Sequence, residues 1–142
     1  MRRVPTFEEC LQKGSLISIT PDKQRSQYLY LQAKRKRELL EENIKKIGIT
    51  TENANDYIEY CYNILMIFIR AHMFEQGYKT QGQGSHEAEV SFAKRIGFRE
   101  TELDFLNQLR YFRNGILYYG QEFDTTYAKK VISFTKQKIT TK

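Results

Sequence analysis

Ile64-Leu65-Met66-Ile67-Phe68-Ile69 is the longest apolar run in this 142-residue chain. Tyr57, Ile58 and Cys61 precede it, and Met73 and Phe74 follow it before Gly77. A helix over about 51–76 puts the run on every face of its middle turns. A helix with no solvated side there must be enclosed by others, so it is predicted to be the central member of a bundle. Six residues fall far short of the ~20 that a membrane span requires.

Outward from this segment, the same kind of reading gives one helix after another. Thr20-Pro21-Asp22 combines a capping hydroxyl, a proline for the first turn and an acid, which predicts a helix over about 21–47. Leu29, Ala33, Leu40, Ile44 and Ile47 form its apolar stripe, and Gly48 suits the position that ends it. On the other side, Gly77 to Ser85 reads as a flexible connection with glycines at 77, 82 and 84. Gly82-Gln83-Gly84-Ser85 lacks the Lys-Ser/Thr pair and the preceding strand of a phosphate-binding loop. Ser85 is expected to cap a helix over about 85–96, closed by Gly97. Two more helices are predicted, over about 100–118 and 124–139. Asp124 caps the last, and Ala128, Val131, Ile132 and Thr135 face inward. Near the start, Thr6-Phe7-Glu8-Glu9 is a capping box for a short helix over about 6–13. Leu16 to Thr20 looks extended, and no stretch shows the alternation of a longer strand. The expectation is a single all-α domain over 1–142, a compact antiparallel bundle of four to five main helices, with a disordered Thr140-Thr141-Lys142 tail.

Composition narrows the function classes. Two cysteines, Cys10 and Cys61, are too few for a disulfide framework and lack metal-ligand spacing, so both read as core residues and no metal or cofactor is expected. No apolar run follows Arg2-Arg3, so no signal peptide is expected and the predicted location is cytoplasmic. The net charge of +6 permits binding to nucleic acid without requiring it.

Lys34-Arg35-Lys36-Arg37 is the densest basic run. Helical spacing pairs Lys34 with Glu38, Arg37 with Glu41, Glu41 with Lys45 and Glu42 with Lys46, which favours a solvated, ion-paired face over a binding patch. Lys129, Lys130, Lys136 and Lys138 on the last helix keep the patch reading open.

Arg113 is the more informative cation. Phe105, Leu106, Leu109, Phe112, Ile116 and Leu117 share one helix face, and Arg113 falls inside that arc, roughly 40° from Leu109. A guanidinium there needs an acid such as Glu102 or Asp104, a route to water, a cleft or a dimer seam. Gly115, costly inside a helix, signals a close approach or a distortion. His72 reads as a satisfied core histidine; His86 reads as a capping or surface group, or as a displaced catalytic histidine.

Leu109-Arg110-Tyr111-Phe112-Arg113-Asn114-Gly115-Ile116-Leu117-Tyr118-Tyr119-Gly120 resembles the signature helix of HEPN domains, small helical bundles of prokaryotic toxin–antitoxin and defence systems. Phe7 to Gly14 resembles the short leading helix of archaeal-type members, and Gly77-Tyr78-Lys79 with Ser85-His86 resembles their inter-helix loop. Active members are metal-independent ribonucleases whose arginine and histidine meet in a basic cleft of a homodimer. The resemblance implies Arg113 as the arginine that stabilises the phosphorane and Asn114 as the asparagine beside it. Tyr118 stands where the family has its histidine. A tyrosine with a pKa of ~10 is a poor base at neutral pH. Many members also pair with a minimal nucleotidyltransferase that modifies a tyrosine two residues past the histidine; Gly120 occupies that position. Tyr118 and Tyr119 are either helix-end packing residues or substitutes for that tyrosine.

The expectation is therefore a catalytically degenerate HEPN-like homodimer that binds a nucleotidyltransferase-type partner or RNA. The alternatives are an active metal-independent ribonuclease using Arg113, with Asn114 and Tyr118, and a simple RNA- or nucleotide-binding module.

Overall fold

The computed structural model describes residues 3–120 and 122–139, except for the side chains of Leu117 and Tyr118. The expectation for the Thr140-Thr141-Lys142 tail lies outside the described residues. Six helices and two short strands occur among the described residues: α1 (Phe7–Lys13), β1 (Leu16–Ser18), α2 (Lys23–Ile47), α3 (Ala54–Gln76), β2 (Tyr78–Thr80), α4 (Ser85–Ala93), α5 (Glu100–Tyr119) and α6 (Thr125–Lys138). The all-α bundle is what forms, and no described helix is long and apolar enough to cross a membrane.

The central helix is α3. Ile64, Leu65, Met66 and Ile69 are fully buried, and α3 packs on α2, α4, α5 and α6. Burial of each such side chain contributes about 1.5–3 kcal/mol. The inward faces follow from helical periodicity. On α6 they are Ala128, Val131, Ile132 and Thr135; on α2, Ala33 and Leu40 are buried. Cys10 and Cys61 are free thiols in the core, and burial pushes the Cys61 thiol up to about 12.

Cross-helix contacts set the directions. At one end of the α2–α3 pair, Ser26 Oγ donates to the Ala71 carbonyl at 2.7 Å. Nearby, the Tyr30 hydroxyl meets the half-buried His72 imidazole at 2.7 Å, so that histidine is satisfied. At the other end, Asn53 Nδ2 and the Tyr57 hydroxyl donate to the Gly48 carbonyl at 3.1 and 3.2 Å. The two helices are therefore antiparallel. Phe105 stacks on Phe134 and Phe112 meets Tyr127 edge-on, which makes α5 and α6 antiparallel as well.

The open end of the α2–α3 pair is clamped at Gly77. Ile19 N–H donates to the Gly77 carbonyl and Asp22 N–H to the Phe74 carbonyl, both at 2.9 Å. Gly77 has φ +85°, and a Cβ there would lie 2.7 Å from the Ile19 carbonyl oxygen. Only glycine meets both demands.

Several boundaries differ from expectation. Asp22, not Thr20, caps α2: its carboxylate accepts from the Arg25 N–H at 3.0 Å, and Pro21 precedes the helix. The second long helix begins at Ala54, because Thr50 and Asn53 exchange side-chain and backbone bonds ahead of it. Ser85 does not cap α4; its hydroxyl turns back to the Gly82 carbonyl at 2.7 Å, and Gly84 holds the cap position. Helix α4 ends at Ala93 and passes into a 3-10 turn over Lys94–Ile96. The connection after Gly77 is not wholly irregular: Tyr78–Thr80 pairs antiparallel with Leu16–Ser18, with Ile17 opposite Lys79. Three residues are too few to show a period of two, which is why pattern alone missed the strand. Ile47 is 67% exposed, since the bundle ends before it. The capping boundaries at Thr6 and Asp124 form as expected.

Candidate functional site

Arg113 resolves the anomaly in α5. Its guanidinium lies over the ring of Tyr62, 5.0 Å from the centroid. Tyr62 is buried on α3. Neither acid considered from sequence is the partner of Arg113. Glu102 accepts from the Arg99 backbone and is bridged by Lys138, while Asp104 is exposed. Arg113 Nε is buried and has no hydrogen-bond acceptor among the described residues. A buried donor left without a partner costs about 1–3 kcal/mol, so it marks a position where an incoming acceptor gains.

Two further arginines join it. One turn earlier on α5, Arg110 donates from Nε and Nη2 to Asn107 Oδ1 at 3.2 and 3.1 Å. Asn107 is buried, 5% exposed, on a helix face otherwise lined by leucines. Two turns beyond Tyr62 on α3, Arg70 makes a two-point pair with Glu89 of α4, through Nε to Oε2 and through Nη2 to Oε1 at 3.3 Å. Glu89 is 2% exposed. His86, one turn before it, sets Nδ1 3.4 Å from Glu89 Oε1 while more than half its side chain is exposed.

The electrostatics follow from this arrangement. Burial opposes ionisation of Glu89, but the bonds from His86 and Arg70 outweigh it and hold the carboxyl below its usual range. Burial pushes the Tyr62 hydroxyl up to about 12, with help from Glu89; Arg113, Arg110 and Arg70 pull the other way. Tyr62 therefore stays protonated at neutral pH, and its hydroxyl feels all four charges at once. Three guanidinium groups face one carboxylate, so the α3–α4–α5 face keeps an excess of positive charge. Arginine is well suited to phosphate, because its planar fork presents two parallel donors.

The residues carried over by resemblance are distributed as follows. Arg113 is at the centre of the cluster. Asn114 is half-buried on α5, on nearly the same line along the helix as Asn107. The side chain of Tyr118 lies outside the described residues, and the helix continues through its position to Tyr119 without distortion at Gly115. Positions 113 and 118 of a regular helix are about 140° apart. Tyr119 is 85% exposed. His86, considered from sequence as a capping or displaced catalytic group, sits beside the buried carboxylate.

Tyr62, Arg70, Glu89 and Asn107 were missed. The signals were present: Glu89 is the lone acid among Ala88, Val90, Phe92 and Ala93, three residues after His86, and Arg70 is the first charge after the apolar run.

The basic run on α2 shares one feature with this cluster, since Arg37 Nε is also buried without an acceptor among the described residues, but it has acidic neighbours on its own helix. Arg37 pairs with Glu41 at 3.6 Å and Lys46 with Glu42 at 2.8 Å. Glu41 also meets Lys136 of α6 at 3.8 Å, and Lys36 lies over the Tyr60 ring at 5.5 Å. No group of three or more His, Cys, Asp or Glu residues that could hold a metal occurs among the described residues. Comparison of the chain with protein-family models, with curated proteins and with solved structures finds no match.

Proposed function

We propose that this chain is a HEPN-like RNA-binding protein whose Arg70, Arg110 and Arg113 grip the phosphate backbone on the α3–α4–α5 face. The observation that carries the reading is the Arg113 guanidinium, held over Tyr62 with a buried Nε that lacks an acceptor. Nε itself is enclosed, but Arg113 is only half-buried, and a phosphate drawn by the neighbouring arginines would meet the part of the guanidinium that is open. The remainder of the reading rests on the resemblance of 109–120: a homodimer in the cytoplasm, a toxin–antitoxin or defence setting, and a minimal nucleotidyltransferase as partner.

A second reading, metal-independent RNA cleavage, is favoured by the His86–Glu89 contact. A carboxylate at Nδ1 keeps the proton there and leaves Nε2 as a base. That base takes the proton of a 2′-hydroxyl, the 2′-oxygen bonds to phosphorus, and the bond to the 5′-oxygen breaks. The leaving oxygen takes up a proton, giving a cyclic phosphate and a 5′-hydroxyl end. Arg113 would balance the phosphorane charge.

One experiment separates the two. Labelled structured RNA is incubated without metal ions with wild type, Arg113→Ala and His86→Ala, and both binding and cleavage are read. Binding that weakens about tenfold or more in Arg113→Ala, with no cleavage, supports the RNA-binding protein. Cleavage lost in both variants makes the chain an enzyme with His86 in the histidine role. RNA affinity unchanged by Arg113→Ala overturns the first reading.

A further inference from the structure

A groove of about 700 Å³ opens between α1, α4 and α5, lined among others by Phe7, Ser91, Arg95, Leu103, Asp104 and Asn107. Its volume falls within the ~300–1,000 Å³ typical of small-ligand sites. We infer that this groove is a subsite for a nucleobase bearing an amino group, next to the phosphate held by the arginine cluster. This inference rests on the phosphate-gripping reading proposed above.

Three features of the groove point the same way. The first is a stacking platform. The Arg95 guanidinium lies 4.0 Å over the Phe7 ring, and Arg95 is exposed, so one face of the plane is covered by the phenyl group while the residue remains open to a ligand. Phe7 is itself braced edge-on by Tyr78 at 5.3 Å and by the tilted ring of Phe92 at 6.3 Å. A guanidinium held against aromatic rings in this way, with Tyr78 and Phe92 at 5.7 and 5.8 Å, can stack on a base, as arginines do in sites for single-stranded nucleic acid.

The second is charge. Glu8 and Asp104 line the groove and take part in no ion pair among the described residues, whereas Glu100 is held by Lys94 at 3.0 Å. Unpaired carboxylates repel a phosphate and accept from the amino group of adenine, cytosine or guanine. Uracil has no exocyclic amino group, and its one pairing-edge donor, N3–H, lies between two carbonyl oxygens that a carboxylate repels. The groove also holds Arg3 and Lys94, but these are paired with Glu9 and Glu100, so Glu8 and Asp104 are left to meet a base while the arginine cluster takes the phosphate.

The third is continuity. Asn107 lines the groove and also accepts both bonds from Arg110. The inner end of the groove therefore borders the cation cluster, with no helix between them. A base stacked on Arg95 must be unstacked from its neighbours, which selects single-stranded RNA over a duplex.

The test uses fluorescence anisotropy with labelled oligocytidylate, oligoadenylate and oligouridylate. The proteins are wild type, Arg95→Ala, Arg95→Lys, Asp104→Asn and Arg113→Ala, each checked by circular dichroism. Arg95 and Asp104 are exposed, so their replacement leaves the core intact. Wild type is expected to prefer the amino-bearing oligomers over oligouridylate by about fivefold, from a charge-assisted bond. Asp104→Asn is expected to reduce that preference. Arg95→Ala should weaken all three by about tenfold, the size of one lost stack. Arg95→Lys keeps the charge without the plane and should lose nearly as much. Equal affinity for all three oligomers, unchanged in Arg95→Ala but lost in Arg113→Ala, overturns the groove and keeps the arginine reading. Loss in Arg95→Ala alone overturns the arginine reading and keeps the groove. No binding by wild type overturns both.

Discussion

Two clusters of positive charge sit on opposite sides of α3, and they differ in kind. Lys34-Arg35-Lys36-Arg37 is contiguous in sequence, and its helix pairs one member of it in place, Arg37 on Glu41; no ion pair of Lys34, Arg35 or Lys36 occurs among the described residues. Arg110 and Arg113 are one turn apart on α5, and Arg70, up to 43 positions away, joins them only when α3 and α5 pack. There the single acid, Glu89, is already held by Arg70 and His86, so it does not reach the two arginines of α5 through any hydrogen bond among the described residues. Sequence-local charges pair with their neighbours at three- and four-residue spacing at little cost. Charges assembled by tertiary structure have no such guaranteed partners, and their unsatisfied donors are where a ligand gains most.

The contrast can be broken most directly by binding. Replacing both Arg110 and Arg113 by alanine is expected to lower RNA affinity by about a hundredfold, roughly two charge-assisted contacts. Replacing Lys34 and Arg35 should cost about threefold or less, as for surface charges. Comparable losses from the two double variants, read in the same salt, would mean that the α2 face binds as well and the distinction drawn above is wrong.

Stability offers the next test. Glu89→Gln removes the carboxylate from beneath Arg70 and His86. The expected loss is about 2 kcal/mol, less than the ~3–5 kcal/mol for breaking a wholly buried pair, because Arg70 remains 39% exposed. Glu42→Gln, which breaks an exposed pair of the same spacing class as the α2 run, should change stability by about 0.5 kcal/mol or less. Urea unfolding midpoints of the two variants measure the difference, and equal midpoints would erase it.

The smallest effect is on pH. The Glu89 carboxyl titrates lower in the fold than its ordinary 4.5, so the unfolded chain takes up its proton first as acid is added. Its contribution is complete above the unfolded value and is lost as pH falls through the folded one. Wild type is therefore expected to lose more stability than Glu89→Gln between about pH 5 and pH 3. Parallel curves for the two proteins across that window would show that the carboxylate is not stabilised by its partners.

How much of this was legible depends on the kind of information each residue carries. The all-round apolar run at Ile64 and Leu65 marked α3 as enclosed, and helical periodicity identified the inward face of α6, which is apolar at Val131 and Ile132. Capping chemistry located the ends at Thr6 and Asp124, where one side chain and a backbone N–H three residues on decide the matter. It misplaced the start of α2, because Thr20 and Asp22 are both good caps. The choice between them is made by the Phe74 carbonyl, which takes the Asp22 N–H from another part of the chain. Arg113 could be singled out because a charge on an apolar arc contradicts its own surroundings. Its partner could not be named: Tyr62 lies 51 positions away and reads as one more aromatic of the central helix. Glu89 stood out only as an acid among apolar neighbours, and its partner Arg70 lies on another helix, so the pair was not legible from local spacing.

The clamp at Gly77 has a kinetic meaning as well as a geometric one. With the short turn at Gly48 to Asn53 at one end and the Ile19–Gly77 and Asp22–Phe74 bonds at the other, α2 and α3 form a hairpin tied at both ends. The turn end closes a short loop, so it forms early at low entropic cost; the Gly77 end closes more than fifty residues but comes into register once the helices zip together. Such a unit can order ahead of the rest of the chain and offer α5 and α6 a finished surface to dock on. Arg113 of α5 then reaches Tyr62 late, on a scaffold already rigid beneath it, whereas the Arg110–Asn107 bonds form within α5 itself.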